Sequence, residues 1–188
     1  MNVILPTRLT VDEFLRWSLE YPGRYELEGG RIIQMSPQNM DHVRTKQRVY
    51  AALDAAIQRA SVAFYAMPDG PSVRISRDRA YEPDASVAPL PMPPGDALEV
   101  PNPIIVIEVL SPTPTSMRRD LSIKVEGYGR VPSIEHYIII DPAERQVLHY
   151  RRKGETLAPP SEPTEGLLRL DPPGLEVPVA DLLIAETP

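Results

Sequence analysis

The chain has no cysteine, which excludes disulfides, thiolate catalysis and cysteine-based zinc sites. Aromatic residues are scarce, with one Trp and two Phe in 188 residues, so a cleft built to stack sugars has little to draw on. No apolar run reaches the roughly 18 residues of a membrane span, and no basic segment followed by an apolar one marks a secretory signal. A cytoplasmic location with no membrane partner is the expectation. Basic charge is not in excess either: the formal net charge is −6, which at face value argues against a protein that coats nucleic acid.

That charge is unevenly placed. Residues 1–153 carry 19 acidic and 19 basic side chains, whereas residues 154–188 carry seven acids and only Arg169. A neutral body with an acidic tail does not exclude an anionic partner. With 42% hydrophobic and 24% charged residues the composition is that of a globular chain, and its length suits a single domain. The expected division is one domain over 1–188, with a core at about 10–152 and an acidic, proline-rich C-terminal extension, 154–188, packed on the body.

Proline is abundant, at 23 residues, nine of them from Pro83 to Pro114 and seven from Pro159 onward. Proline lacks a backbone donor and breaks helices, so these stretches should be short strands and fixed loops. Elsewhere the patterning is regular. Thr10 and Glu13 form a capping box ahead of the apolar stripe Val11, Phe14, Leu15 and Leu19. Residues 24–36 read as a β-hairpin around Gly29-Gly30. Val43, Val49, Ala52, Leu53, Ala56 and Ile57 recur at helical spacing from Asn39 to about Ala60, with Asn39 or Asp41 as the cap. Strands are expected near 62–67, 72–75, 83–88 and 103–110, then a helix from about Ser116 to Arg130, then a hairpin of 134–141 with 146–152. The order is that of an α/β (α+β) fold with one mixed β-sheet flanked by helices.

Two carboxylates stand out. Ile104-Ile-Val-Ile-Glu-Val-Leu110 is a central-strand pattern interrupted by Glu108, which alternation places on the face of Val106 and Leu110. Burying an unpaired charge is costly, so a core Glu needs a cation, a metal or a raised pKa. Asp84 follows Pro83 at the start of another short strand. Two carboxylates on neighbouring strands can hold Mg²⁺ or Mn²⁺, which take oxygen ligands and keep catalytic waters. In the helix that follows, Asp120, Lys124 and Tyr128 recur at i, i+4, i+8, drifting by about 40° per step. The bland alternative is a solvated face with an Asp–Lys pair worth a few tenths of a kcal/mol. Arg118 and Arg119 oppose the macrodipole at the helix start, an arrangement an anionic ligand would explain.

Pro83-Asp84 followed by Glu108-Val-Leu-Ser111 resembles the PD-(D/E)-x-K superfamily of metal-dependent nucleases. The wider order of motifs resembles the Uma family of bacterial proteins described as putative restriction endonucleases. Those motifs are Tyr25-Glu26-Leu27 with Gly29-Gly30; Met35-Ser-Pro37 with His42; Pro83-Asp84; Glu108 to Pro112; Asp120, Lys124 and Tyr128; Val131 to Asp141; and Val147 to Arg152. The resemblance spans about Thr10 to Arg152 and implies a restriction-endonuclease-like mixed sheet flanked by helices, with an N-terminal helix and β-hairpin. It also implies Asp84 and Glu108 as ligands of Mg²⁺ (or Mn²⁺) and Asp84, Glu108 and Lys124 as the catalytic set. The superfamily lysine normally stands two residues after the second acid; Leu110 fills that position here, and the role passes to Lys124.

Glu26, His42, Asp120 and Tyr128 are expected to border the site, and Arg118, Arg119 and Arg130 to contact phosphates. His136 and His149 lie in strand patterns and are expected to be structural. The resulting reading is an endonuclease acting on DNA, as a homodimer or higher homo-oligomer if both strands are cut. Two others stay open: an inactive nuclease-like scaffold that binds nucleic acid or a protein partner, and a carboxylate-pair glycosidase, for which the aromatics are few.

Overall fold

The computed structural model describes residues 8–111 and 119–183. The expected phosphate contact Arg118 and the expected helix start at Ser116 lie outside them. Helix α1 (Val11–Ser18) starts at Thr10, whose hydroxyl accepts from the Glu13 amide while the Glu13 carboxylate accepts from the Thr10 amide, as the capping box requires. Strands β1 (Tyr25–Glu28) and β2 (Arg31–Gln34) form the hairpin. Gly29 and Gly30, at φ 55° and 77°, supply the two left-handed positions that its tight turn demands. Asn39 caps α2 (Met40–Ala60), accepting from the His42 amide at 2.9 Å.

The middle of the chain supplies β3 (Phe64–Pro68), β4 (Val73–Ser76), β5 (Arg79–Tyr81), β6 (Ala85–Pro89) and β7 (Ile105–Val109). A π-helical turn, Arg119–Ile123, leads into α3 (Lys124–Gly129). Then come β8 (His136–Asp141), β9 (Gln146–Lys153), β10 (Thr156–Leu157), β11 (Leu167–Leu170), β12 (Leu175–Pro178) and α4 (Val179–Leu182). No helix among the described residues is long and apolar enough to cross a membrane.

The central sheet has the order β10-β9-β8-β7-β6-β3 and is mixed: β7 and β8 are parallel, and the other neighbours antiparallel. The expectation of one sheet needs correction, because β2-β1-β5-β4 form a second, antiparallel one. The strand that makes the difference, β5, is three residues long, too short to show alternation. It joins the N-terminal hairpin to β4.

Alternation divides the central sheet into two apolar faces. Val87, Ile105, Ile107, Val109, Ile138 and Ile140 meet Val49, Leu53, Ala56 and Ile57 of α2 and the C-terminal hairpin residues Leu168, Leu170, Leu175 and Val177. The opposite face presents Val106, Leu110, Tyr137 and Ile139 to Tyr128 of α3 and Tyr81 of β5. Glu108 stands on this second face, in the strand at the middle of the sheet.

Under the C-terminal hairpin lies a buried histidine pair. His136 Nε2 is 2.9 Å from the Pro172 carbonyl and so donates to it, which leaves Nδ1 to accept from His149 Nε2 at 2.9 Å. Both rings must be neutral for this chain of bonds to hold. Burial pushes both down, to about 4, with the Arg151 charge adding to the effect. The unfolded histidines take up protons first, near their ordinary 6.5, so stability is full above that value and is lost as pH falls toward 4. Denaturant titrations are expected to show the decline between those pH values and a shallower one in a His136→Leu/His149→Leu double variant; equal slopes would refute the assignment.

Candidate functional site

The parallel crossover from β7 through α3 to β8 brings the predicted acids and lysine together. Glu108 Oε1 accepts from Lys124 Nζ at 2.8 Å and from the Tyr128 hydroxyl at 2.8 Å. Asp84 sits just before β6, the other neighbour of β7, and its backbone amide donates to the Ile107 carbonyl at 3.0 Å. The Val109 amide donates to Asp84 Oδ2 at 2.8 Å, so one carboxylate is bound to the backbone of the strand that carries the other.

Three further carboxylates and cations complete the cluster. Glu26 reaches in from β1, placing Oε1 2.9 Å from Lys124 Nζ and 3.2 Å from the Glu82 amide. Its Oε2 is 2.8 Å from an Arg119 guanidinium nitrogen, an ion pair without hydrogen-bond alignment. Asp120 Oδ1 lies 3.3 Å from the same ammonium. The π turn explains how Asp120, Lys124 and Tyr128 share a face: its longer i→i+5 winding offsets the forward drift of the α-helical spacing. The Tyr137 hydroxyl holds the turn through the Asp120 carbonyl at 3.0 Å.

Helix α2 supplies the other wall. His42 Nε2 is 3.5 Å from Asp84 Oδ1, and neither ring nitrogen has a hydrogen-bond partner among the described residues. Lys46, one turn on, lies 3.4 Å from the same oxygen, bonds Gln38 at 2.8 Å and pairs closely with Asp69. Arg24 pairs with Asp69 and Glu82 beside it. Sequence reasoning missed Lys46, although its i+4 spacing from His42 on an amphipathic helix was a usable signal. Arg130 is a correction: it is exposed at the far end of α3, pairs with Glu126 and does not line the cleft. Arg119 does line it.

The cleft holds about 110 Å³ and is lined by Glu26, His42, Asp84, Glu108, Asp120 and Lys124, with the chain from Ile33 to Gln38 at its rim. Burial pushes the Glu108 carboxyl well above its ordinary range, and Asp120, Asp84 and Glu26 add to the rise against the pull of Lys124. Asp120 is raised by burial and by Glu26 and Asp84. For Asp84, burial is outweighed by His42, Lys46 and the Val109 amide, which hold it below the usual range. Burial alone would depress the Lys124 ammonium, but Glu108, Glu26 and Asp120 outweigh it and hold the pKa well above the ordinary lysine value. Lys124 therefore keeps its proton, and the surplus of negative charge falls on Glu108 and Asp120.

The sequence profile of the Uma2 family, described as "Putative restriction endonuclease", matches residues 11–180. The chain belongs to the Uma2 family. Among solved structures it is similar to a "putative nuclease belonging to DUF820" from Anabaena variabilis ATCC 29413, with a TM-score of 0.67 over 93% of this chain and 97% of that one. At 20% identity that likeness establishes a shared fold, a mixed sheet flanked by helices. Among curated proteins no match is found. The Uma2 match runs beyond Arg152 into the C-terminal hairpin, consistent with the burial of Leu170 and Val177 in the core.

The donor set fits a hard divalent cation. Asp84 and Glu108 are adjacent oxygen donors in an open cleft whose two raised carboxyls mark excess negative charge. Among the described residues no three His, Asp or Glu side chains form a metal cage. Mg²⁺ needs none, since it commonly keeps several waters and is held by one or two carboxylates.

Helix α3 can approach β5 only because residue 127 is glycine. A Cβ there would lie 2.6 Å from the Tyr81 ring, which its hydroxyl anchors to Glu28 Oε2 at 2.7 Å and which Lys124 overlies at 5.8 Å. Overpacking of this kind costs about 1–3 kcal/mol. Gly127→Ala is expected to lower the thermal midpoint by several degrees, read by calorimetry; an unchanged midpoint would show that α3 is free to shift.

Proposed function

We propose that this Uma2 protein is a divalent-metal-dependent endonuclease that hydrolyses phosphodiester bonds in DNA, with Asp84 and Glu108 as metal ligands and Lys124 as the adjacent cation. The observation that carries the reading is the 2.8 Å contact of a buried lysine with a central-strand glutamate, in an open cleft that also contains Asp84. When bound, Mg²⁺ or Mn²⁺ would supply Lewis acidity toward the phosphate and a water of lowered pKa.

The chain's own groups have distinct tasks in this reaction. The Val109 amide and the Lys46 and His42 side chains orient Asp84, while the Tyr128 hydroxyl and Lys124 orient Glu108. The fixed charge of Lys124 offsets the negative charge that builds on the phosphorus oxygens as the water oxygen bonds to phosphorus and the ester P–O bond breaks; the leaving oxygen takes its proton from solvent. Arg119, on the cleft wall, is the cation placed to meet a phosphate. Preorganised charge of this sort is worth about 10²–10³ in rate per group. A second copy of the chain would cut the second strand. Because the chain as a whole is acidic, DNA binding should be weak and salt-sensitive.

Plasmid and short-duplex DNA, with an RNA duplex alongside, are to be incubated with the protein in Mg²⁺, Mn²⁺ or EDTA. DNA cleavage is expected only with metal, and Asp84→Asn, Glu108→Gln and Lys124→Ala should each reduce it by about 10²–10³. Cleavage that survives all three substitutions would sink the assignment, and binding without turnover would favour the scaffold reading.

A further inference from the structure

We infer that the cleft takes one divalent cation per chain, and that the Lys124 ammonium is a built-in counter-ion occupying the place where a second would bind. The inference rests on the metal-dependent reading above and deepens it. Two-metal sites of phosphoryl-transfer enzymes hold their ions about 3.5–4 Å apart, with carboxylates gathered around them. Here the carboxylates that could serve a second ion converge on nitrogen instead.

Glu26 from β1, Glu108 from β7 and Asp120 from the π turn lie 2.9, 2.8 and 3.3 Å from Lys124 Nζ. The three elements belong to different parts of the fold, so the convergence is not a by-product of one helix face. An ammonium has three N–H donors, and three carboxylates surround this one. Asp84 stands outside the set, held by the Val109 amide and facing His42 and Lys46.

The charges lead to the same stoichiometry. Among the described residues the cleft is lined by four carboxyl groups, Glu26, Asp84, Glu108 and Asp120, and by two formal cations, Arg119 and Lys124. The difference is the charge of one divalent ion. A second would leave the lining with a net positive charge and would have to displace Lys124 from partners within hydrogen-bond distance. The arrangement also revises what the lysine does. Its donors are directed to carboxylates, so it acts in the reaction as a fixed charge and not as the hydrogen-bonding partner of the attacking water.

The test counts Mn²⁺ ions bound to the full chain by calorimetric titration, with free Mn²⁺ followed by electron paramagnetic resonance. The wild-type chain is expected to bind one ion and Lys124→Ala two, because removing the ammonium vacates a pocket between three carboxylates. Glu26→Gln is expected to keep one ion, since Glu26 serves the ammonium and not the metal. Two ions on the wild-type chain, one on a folded Lys124→Ala variant, or none on Glu26→Gln would each overturn the inference. No ion on the wild-type chain would instead overturn the metal-dependent reading beneath it. If Lys124→Ala folds only in the presence of Mn²⁺, the inference is supported, because the added ion then replaces the lost one. If it folds under neither condition, the Glu26→Gln count decides.

Discussion

A buried contact between Glu108 and Lys124 at 2.8 Å governs the arrangement of the rest. Neither charge could sit in the core alone, since removing one partner of a buried pair costs about 3–5 kcal/mol. The pair ties the middle of the central sheet to the crossover helix, and Glu26 extends it to the first hairpin. Three separately formed elements therefore share one ammonium, and their relative positions follow from where its three donors can point.

The apolar scaffold makes that sharing possible. One face of the sheet is sealed by α2 and the C-terminal hairpin, which leaves the other face for α3 and the second sheet. On that face the tyrosines at 81, 128 and 137 pack ring against ring, with centroids 5.4 and 5.0 Å apart. Each also spends its hydroxyl on the site or its supports, at Glu28, Glu108 and the Asp120 carbonyl. An aromatic body with a polar tip is suited to lie between a dry core and a charged cleft. The absence of a side chain at residue 127 lets this layer close.

Much of the fold was legible because its signals are local. The capping box at Thr10, the Gly29-Gly30 turn, the stripe of α2 and the β-branched run around Glu108 each reflect interactions within a few residues, and each element forms near its expected place. The likeness to the Uma family came from such motifs in order. Strand β5 and the second sheet were not legible, since three residues carry no periodicity and their partners lie far along the chain. The π turn was hidden for a related reason: Asp120, Lys124 and Tyr128 are spaced for an α-helix, and only packing against Tyr137 and the acids makes the looser turn favourable. Arg130 was misjudged because sequence proximity to Lys124 says nothing about which end of a helix faces the cleft.

The sequence by itself determined the element types, the two-faced central strand and the presence of a carboxylate in its middle, because these depend on side-chain chemistry and short-range spacing. It also carried the family. The tertiary structure decided which groups meet. Lys46 and His42 reach Asp84 from α2, Glu26 reaches Lys124 from a separate sheet, and residues 167–183 become part of the core. Such encounters arise from long-range packing, in which each buried charge settles where an opposite charge from another element can offset its desolvation, and no local pattern encodes that choice.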